Sequence, residues 1–113
     1  MLNAVQGKTF DVESITGKVL GTDQNKSTLP VFIFGNDGKL SGHSGCNNFN
    51  GNYKIYGNKA SFNAGAMTKM FCPESTEADF LNALRQVTGI RLDGNKLKLL
   101  NGSDELMILV ERS

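Results

Sequence analysis

Two cysteines, one histidine and a run of asparagines are the residues of this chain best equipped for chemistry. Cys46 and Cys72 are far from C-x-x-C spacing, which argues against a thioredoxin-like redox pair. Two cysteines and one histidine fall short of a four-ligand zinc site unless carboxylates help, so no metal and no cofactor is expected. Two readings stay open for the sulfurs: two buried thiols, or one disulfide. A bridge would close a loop of about 27 residues, on the order of 3–4 kcal/mol in the chain-entropy account. A cysteine nucleophile would have to pair Cys46 with His43, three positions upstream. It would also need a third group to orient the base. His43 precedes a turn and reads as a solvated residue, so no catalytic residue and no enzyme is expected. Asn47, Asn48, Asn50 and Asn52 could offer amides to a sugar or peptide, but turn chemistry explains them more simply. The carboxylates Asp11, Glu13, Asp37, Asp93, Asp104 and Glu105 are scattered and form no acid–base pair.

The elements that must position these residues read mostly as strands. The 113 residues suit one domain, 1–113. Lys and Arg number 12 and Asp and Glu 11, so no basic face is expected to release counterions from phosphate, and nucleic acid is not an expected partner. No apolar run approaches the ~20 residues of a membrane-spanning helix. Residues 1–7 carry neither a basic start nor an apolar stretch, so no export signal is expected in this chain. Thirteen glycines, several beside Asn or Asp, favour antiparallel hairpins.

In chain order, Phe10 and Val12 alternate in a strand over 8–15, and residues 17–20 continue it after a bend. Residues 21–29 are a polar loop. Pro30 opens the strand 31–34, apolar on both faces and therefore expected to be covered on both. Residues 35–38 turn, 39–44 return, and Gly45-Cys46-Asn47 makes a corner. Tyr53 and Ile55 lie on one strand and Ala60 and Phe62 on the next, joined at Gly57-Asn58. Residues 63–71 read as a loop. A helix over 74–88 follows, with Pro73 in its first turn, Ser75 or Thr76 as cap, and Gly89 as its C-terminal left-handed residue. Its stripe is Phe80, Leu81, Leu84 and Val87, and Glu77 lies off it. Three strands complete the chain, turning at residues 93–95 and 101–102. The class is α+β: a mainly antiparallel curled sheet or partial barrel of about eight strands with one amphipathic helix.

At this point the pattern G-C-N-x-x-x-G-x-Y, then T-x-M-x-C-P, then a helix and three strands, resembles the META domain, or HslJ-like, family. Gly45, Cys46, Asn47, Gly51, Tyr53, Thr68, Met70, Cys72 and Pro73 carry the likeness, which spans nearly the whole chain. Phe10 stands where members often carry the tryptophan of a Gly-x-Trp strand. The resemblance implies a non-enzymatic bacterial envelope protein, secreted or lipid-anchored, in the periplasm or at the outer membrane. It also implies a link to stress response or antibiotic tolerance. Export would favour a Cys46–Cys72 disulfide. Tyr53 and Thr68 would anchor the 45–73 unit. The implied partner is an unidentified protein or a hydrophobic small ligand, any lipid anchor would lie outside this chain, and the chain is expected to be monomeric. The likeness to secretion pilot proteins, which hold lipid in a cracked barrel, suggests a lipid-binding alternative. Phe32, Phe34, Met107 and Leu109 would then line an apolar groove, although core packing is the more ordinary role.

Overall fold

The computed structural model describes residues 5–19, 30–69 and 77–112. Among these residues are nine strands: β1 (Thr9–Ile15), β2 (Lys18–Val19), β3 (Val31–Phe34), β4 (Lys39–His43), β5 (Asn48–Tyr56), β6 (Lys59–Met67), β7 (Gly89–Asp93), β8 (Lys96–Asn101) and β9 (Asp104–Glu111). One helix, α1 (Glu77–Gln86), stands between β6 and β7. β1 pairs with β2 and β3, consecutive strands from β3 to β9 pair antiparallel, and β1 also pairs with β9, so β1 and β3–β9 form a ring of eight. The expected curled sheet is therefore present, with β2 as a short flap folded back on Ser14 and Ile15. A ring of this size has an interior that side chains fill.

Alternation decides what fills it. Phe10, Phe32, Phe34, Phe49, Leu40, Leu97, Leu99, Met107 and Leu109 are 0–1% exposed. Phe32 meets Phe34, Phe49, Phe62 and Phe80, the last at 5.3 Å between ring centroids. Phe34 meets Tyr53 edge-on at 5.0 Å. Rings held this way add to simple area burial. Phe32, Phe34, Met107 and Leu109 are thus the packed core and not the walls of a groove, because a closed sheet has one interior and these four point into it. The outer face of β3 is not covered: Ile33 is 43% exposed.

Three further expectations change. Residues 63–67 continue β6 and are not a loop; Gly65, at φ 65, provides the irregularity that keeps the hairpin running. Asn48, Asn50 and Asn52 occupy the exposed alternate positions of β5, opposite in sense to Phe49 and Tyr53, so only Asn47 does corner chemistry. Gly89 does not end the helix in the left-handed region. It begins β7 opposite Lys59, where a Cβ would lie 2.8 Å from the Asn58 carbonyl oxygen. The helix buries Phe80, Ala83 and Leu84 and leaves Leu81 half-buried, so Ala83 joins the stripe. Pro73, Ser75 and Thr76 lie outside the described residues, as do the polar loop 21–29 and the first turn expected over 74–76.

The ring's seams are unequal. β1 and β9 share a ladder from Phe10↔Glu111 to Ile15↔Met107. β6 and β7 share one register pair, Lys59↔Gly89, with Ala60 N–H donating to Thr88 O (3.0 Å) and Ile90 N–H to Asn58 O (2.9 Å). Beyond Ala60 the helix stands beside β6 where a strand would otherwise continue the ring.

Candidate functional site

The corner between β4 and β5 gathers most of the motif residues. Gly45 takes φ 99, a left-handed value that a glycine adopts without strain, and its N–H donates to His43 Nδ1 (3.1 Å). The turn closes by Ser44 N–H to Asn47 O (2.9 Å). Ser44 is fully buried, and a buried hydroxyl must find partners. Its Oγ accepts from the N–H groups of Asn47 (3.0 Å) and Cys46 (3.4 Å) and donates to Glu77 Oε2 (2.5 Å). That uses its one hydrogen and both lone pairs. With no exposed surface, this hydroxyl presents no face to a substrate.

Asn47, 2% exposed, is the hub. Its Nδ2 donates to Glu77 Oε2 (2.8 Å) and to Cys46 Sγ (3.3 Å). Its Oδ1 accepts from Thr68 Oγ1 (2.9 Å), which in turn accepts from Asn48 N–H (3.0 Å). Thr68 N–H donates to Asn48 O (3.1 Å). Glu77 stands in the first turn of α1, where the helix macrodipole favours a negative charge. The Ser44 hydroxyl holds its carboxyl below the ordinary value. The Asn47 side chain, an Asn47 backbone group and nearby His43 act in the same sense, against the upward pull of partial burial. The arrangement ties the start of α1, the end of β6 and the β4–β5 corner into one network.

Thr68 is bonded into this unit but is exposed, not the buried anchor expected. Tyr53 is an anchor elsewhere: its hydroxyl donates to Gly35 O (2.8 Å), bracing the turn before β4, and burial raises its pKa. Gly51 faces β6 so closely that a Cβ would sit 1.8 Å from Asn63 O. Cys46 is 4% exposed. Met70, Cys72 and Pro73 lie outside the described residues. Sequence reasoning missed Ser44 and Glu77. The available signals were a serine directly before Gly-Cys-Asn and an acid in the first helical turn.

Two open clefts are present, one of them bordering this corner at His43 and Asn48. One, of about 490 Å³, is on the outer face among Val31, Ile33, Ser41, His43, Asn48 and Asn50. The other, of about 370 Å³, runs between β6 and α1. Among the described residues no group of His, Cys, Asp and Glu could hold a metal, and no helix is long and apolar enough to cross a membrane.

An eight-stranded antiparallel ring with one helix pinned at a Gly-Cys-Asn corner defines a class of small α+β domain. Residues 3–113 match the META domain family model, and the chain belongs to that family. Solved structures share the fold. A protein determined by NMR is 27% identical, covering 97% of this chain and 94% of its own, with a TM-score of 0.73. One from Burkholderia xenovorans, also determined by NMR, is 19% identical over 99% of this chain and 86% of its own, with a TM-score of 0.73. A crystal structure of a DUF4847 family protein from Bacteroides vulgatus ATCC 8482 is 17% identical over 96% and 94%, with a TM-score of 0.69. No curated protein matches the chain.

Proposed function

We propose that this META domain is a non-enzymatic binding module of the bacterial envelope, secreted or lipid-anchored, serving stress or antibiotic tolerance. One observation carries the reading. The polar groups of the motif, Ser44, Asn47, Thr68 and Glu77, are bonded to one another and shape a rigid corner, while the open clefts are on the surface. Cys46 belongs to the same reading. It is buried at the corner, and no free cysteine stands among the described residues, which supports a structural bridge to Cys72. Such a bridge suits an oxidising compartment. A lipid groove walled by Phe32, Phe34, Met107 and Leu109 is not proposed, because aromatic contacts fill that space.

Native mass spectrometry of the full chain purified from the envelope fraction of bacterial cells tests the function. A bound polypeptide or small ligand of defined mass is expected. A ligand-free chain whose cysteine reacts rapidly with iodoacetamide at neutral pH would overturn the proposal in favour of thiol chemistry.

A further inference from the structure

The β6 strand leaves the ring's hydrogen-bond ladder partway along its length. Residues of an antiparallel strand alternate in the direction of their N–H and C=O groups. Lys59, Ser61 and Asn63 face β5 opposite Tyr56, Lys54 and Asn52 across a two-residue turn. Ala60 faces the other way, its N–H meeting Thr88 O. The same alternation aims the backbone groups of Phe62 and Ala64 outward, and the described residues give neither a partner on that side. Two residues of one strand that face the same way are about 6.6–6.8 Å apart, the repeat of any extended peptide.

The cleft of about 370 Å³ runs along this edge, with α1 as its opposite wall. Phe62, Met67, Leu81 and Leu84 give it an apolar floor, and Asn63 and Arg85 stand at its margins. Arg85 is exposed and forms no ion pair among the described residues. A free strand edge beside a helix, with an apolar floor between them, is the architecture that accepts an added strand. An acyl chain would leave the outward amides of Phe62 and Ala64 without partners; an extended peptide satisfies them and can also meet Arg85 with an acid.

We infer that the β6–α1 cleft binds an extended peptide segment of a partner protein, which adds as a strand to the Phe62–Ala64 edge, places an apolar side chain over Leu81 and Leu84, and sets an acidic group against Arg85. The inference rests on the binding reading above and names the class of partner.

Panning a phage-displayed random dodecapeptide library on the full chain, followed by amide exchange with the selected peptide, tests it. Selected peptides are expected to alternate β-branched residues with polar ones and to carry an acid. Binding should slow exchange of the Phe62 and Ala64 amides at least tenfold. R85E should weaken binding at least fivefold, and replacing the peptide's acid with lysine should restore it. A64P should abolish binding; because proline could also disturb folding, R85E stands as the independent variant. No enriched peptide, peptides protecting amides elsewhere, or a cleft filled by dodecanoate without peptide competition would each overturn the inference. A polypeptide that co-purifies with the chain but leaves the Phe62 and Ala64 amides unprotected would sink this inference and leave the binding reading standing.

Discussion

The corner at Ser44–Asn47 and the seam between β6 and α1 are built from opposite solutions to the same problem. Both are places where a rolled sheet must accommodate its only described helix. At the corner, every polar atom of the Ser44 hydroxyl has a partner inside the protein. At the seam, the ladder stops after Lys59↔Gly89 and backbone groups face a cleft. The difference separates a paired corner, which ties α1 to the β4–β5 turn, from an open edge, where the proposed recognition would take place.

The comparison can be broken most forcefully through the β5–β6 contact on which both regions depend. Gly51→Ala would drive a methyl into the Asn63 carbonyl and should cost about 3 kcal/mol or more, read as a lowered midpoint in urea. At the corner, Asn47→Ala strands Thr68 and removes one donor from Glu77. It should cost roughly 2–3 kcal/mol in the same titration, and a cost below about 0.5 kcal/mol would show the network to be incidental. The seam gives the sharper contrast. Ser61→Pro deletes an N–H that faces β5 and should cost roughly 2 kcal/mol, whereas Ala64→Pro deletes one that faces the cleft and should cost less than about 1 kcal/mol. Equal costs at the two positions would contradict the assigned alternation.

Of the two regions compared, acid should act on the corner. The Glu77 carboxyl is held below its ordinary value in the folded chain, so its contribution is fully present above the unfolded pKa, about 4.3. It is lost as pH falls from there through the lowered folded value. Glu77→Gln should therefore flatten the loss of stability below about pH 4 and change little at pH 7 beyond the altered bond to Ser44. An unchanged acid limb would remove Glu77 from the account. The smallest effect is expected at the surface pair that links Arg112, just past β9, to Asp11 on β1. Arg112→Ala should shift stability by no more than about 1 kcal/mol, since exposed ion pairs gain little.

The comparison also explains what the residues disclosed and what they did not. Hairpins were legible where glycine sits beside Asn or Asp: Gly57-Asn58, Asp93-Gly94-Asn95 and Asn101-Gly102 all turn between strands as their chemistry dictates. The helix was legible from the Phe80 and Leu84 spacing. What escaped was tertiary. Apolar residues on both sides of Val31–Phe34 suggested two covered faces, but ring closure gave the strand one interior and left Ile33 to solvent. Gly65 hid the continuation of β6 because a glycine in an irregular strand looks like the start of a loop. Gly89 resembled a helix cap because close approach to Asn58 O, its real constraint, depends on a hairpin turn far earlier in the chain. Ser44 and Glu77 were invisible as a pair for the same reason, since neither has a sequence-local motive to meet the other.

Amide hydrogen exchange on the free chain, resolved residue by residue along β6 and the corner, addresses the central claim directly. The account predicts that Phe62 and Ala64 exchange fast while Ser61, Asn63, Asn47 and Asn48 are protected. Phe62 and Ala64 exchanging as slowly as their ladder neighbours would show that the seam is closed, and would contradict it.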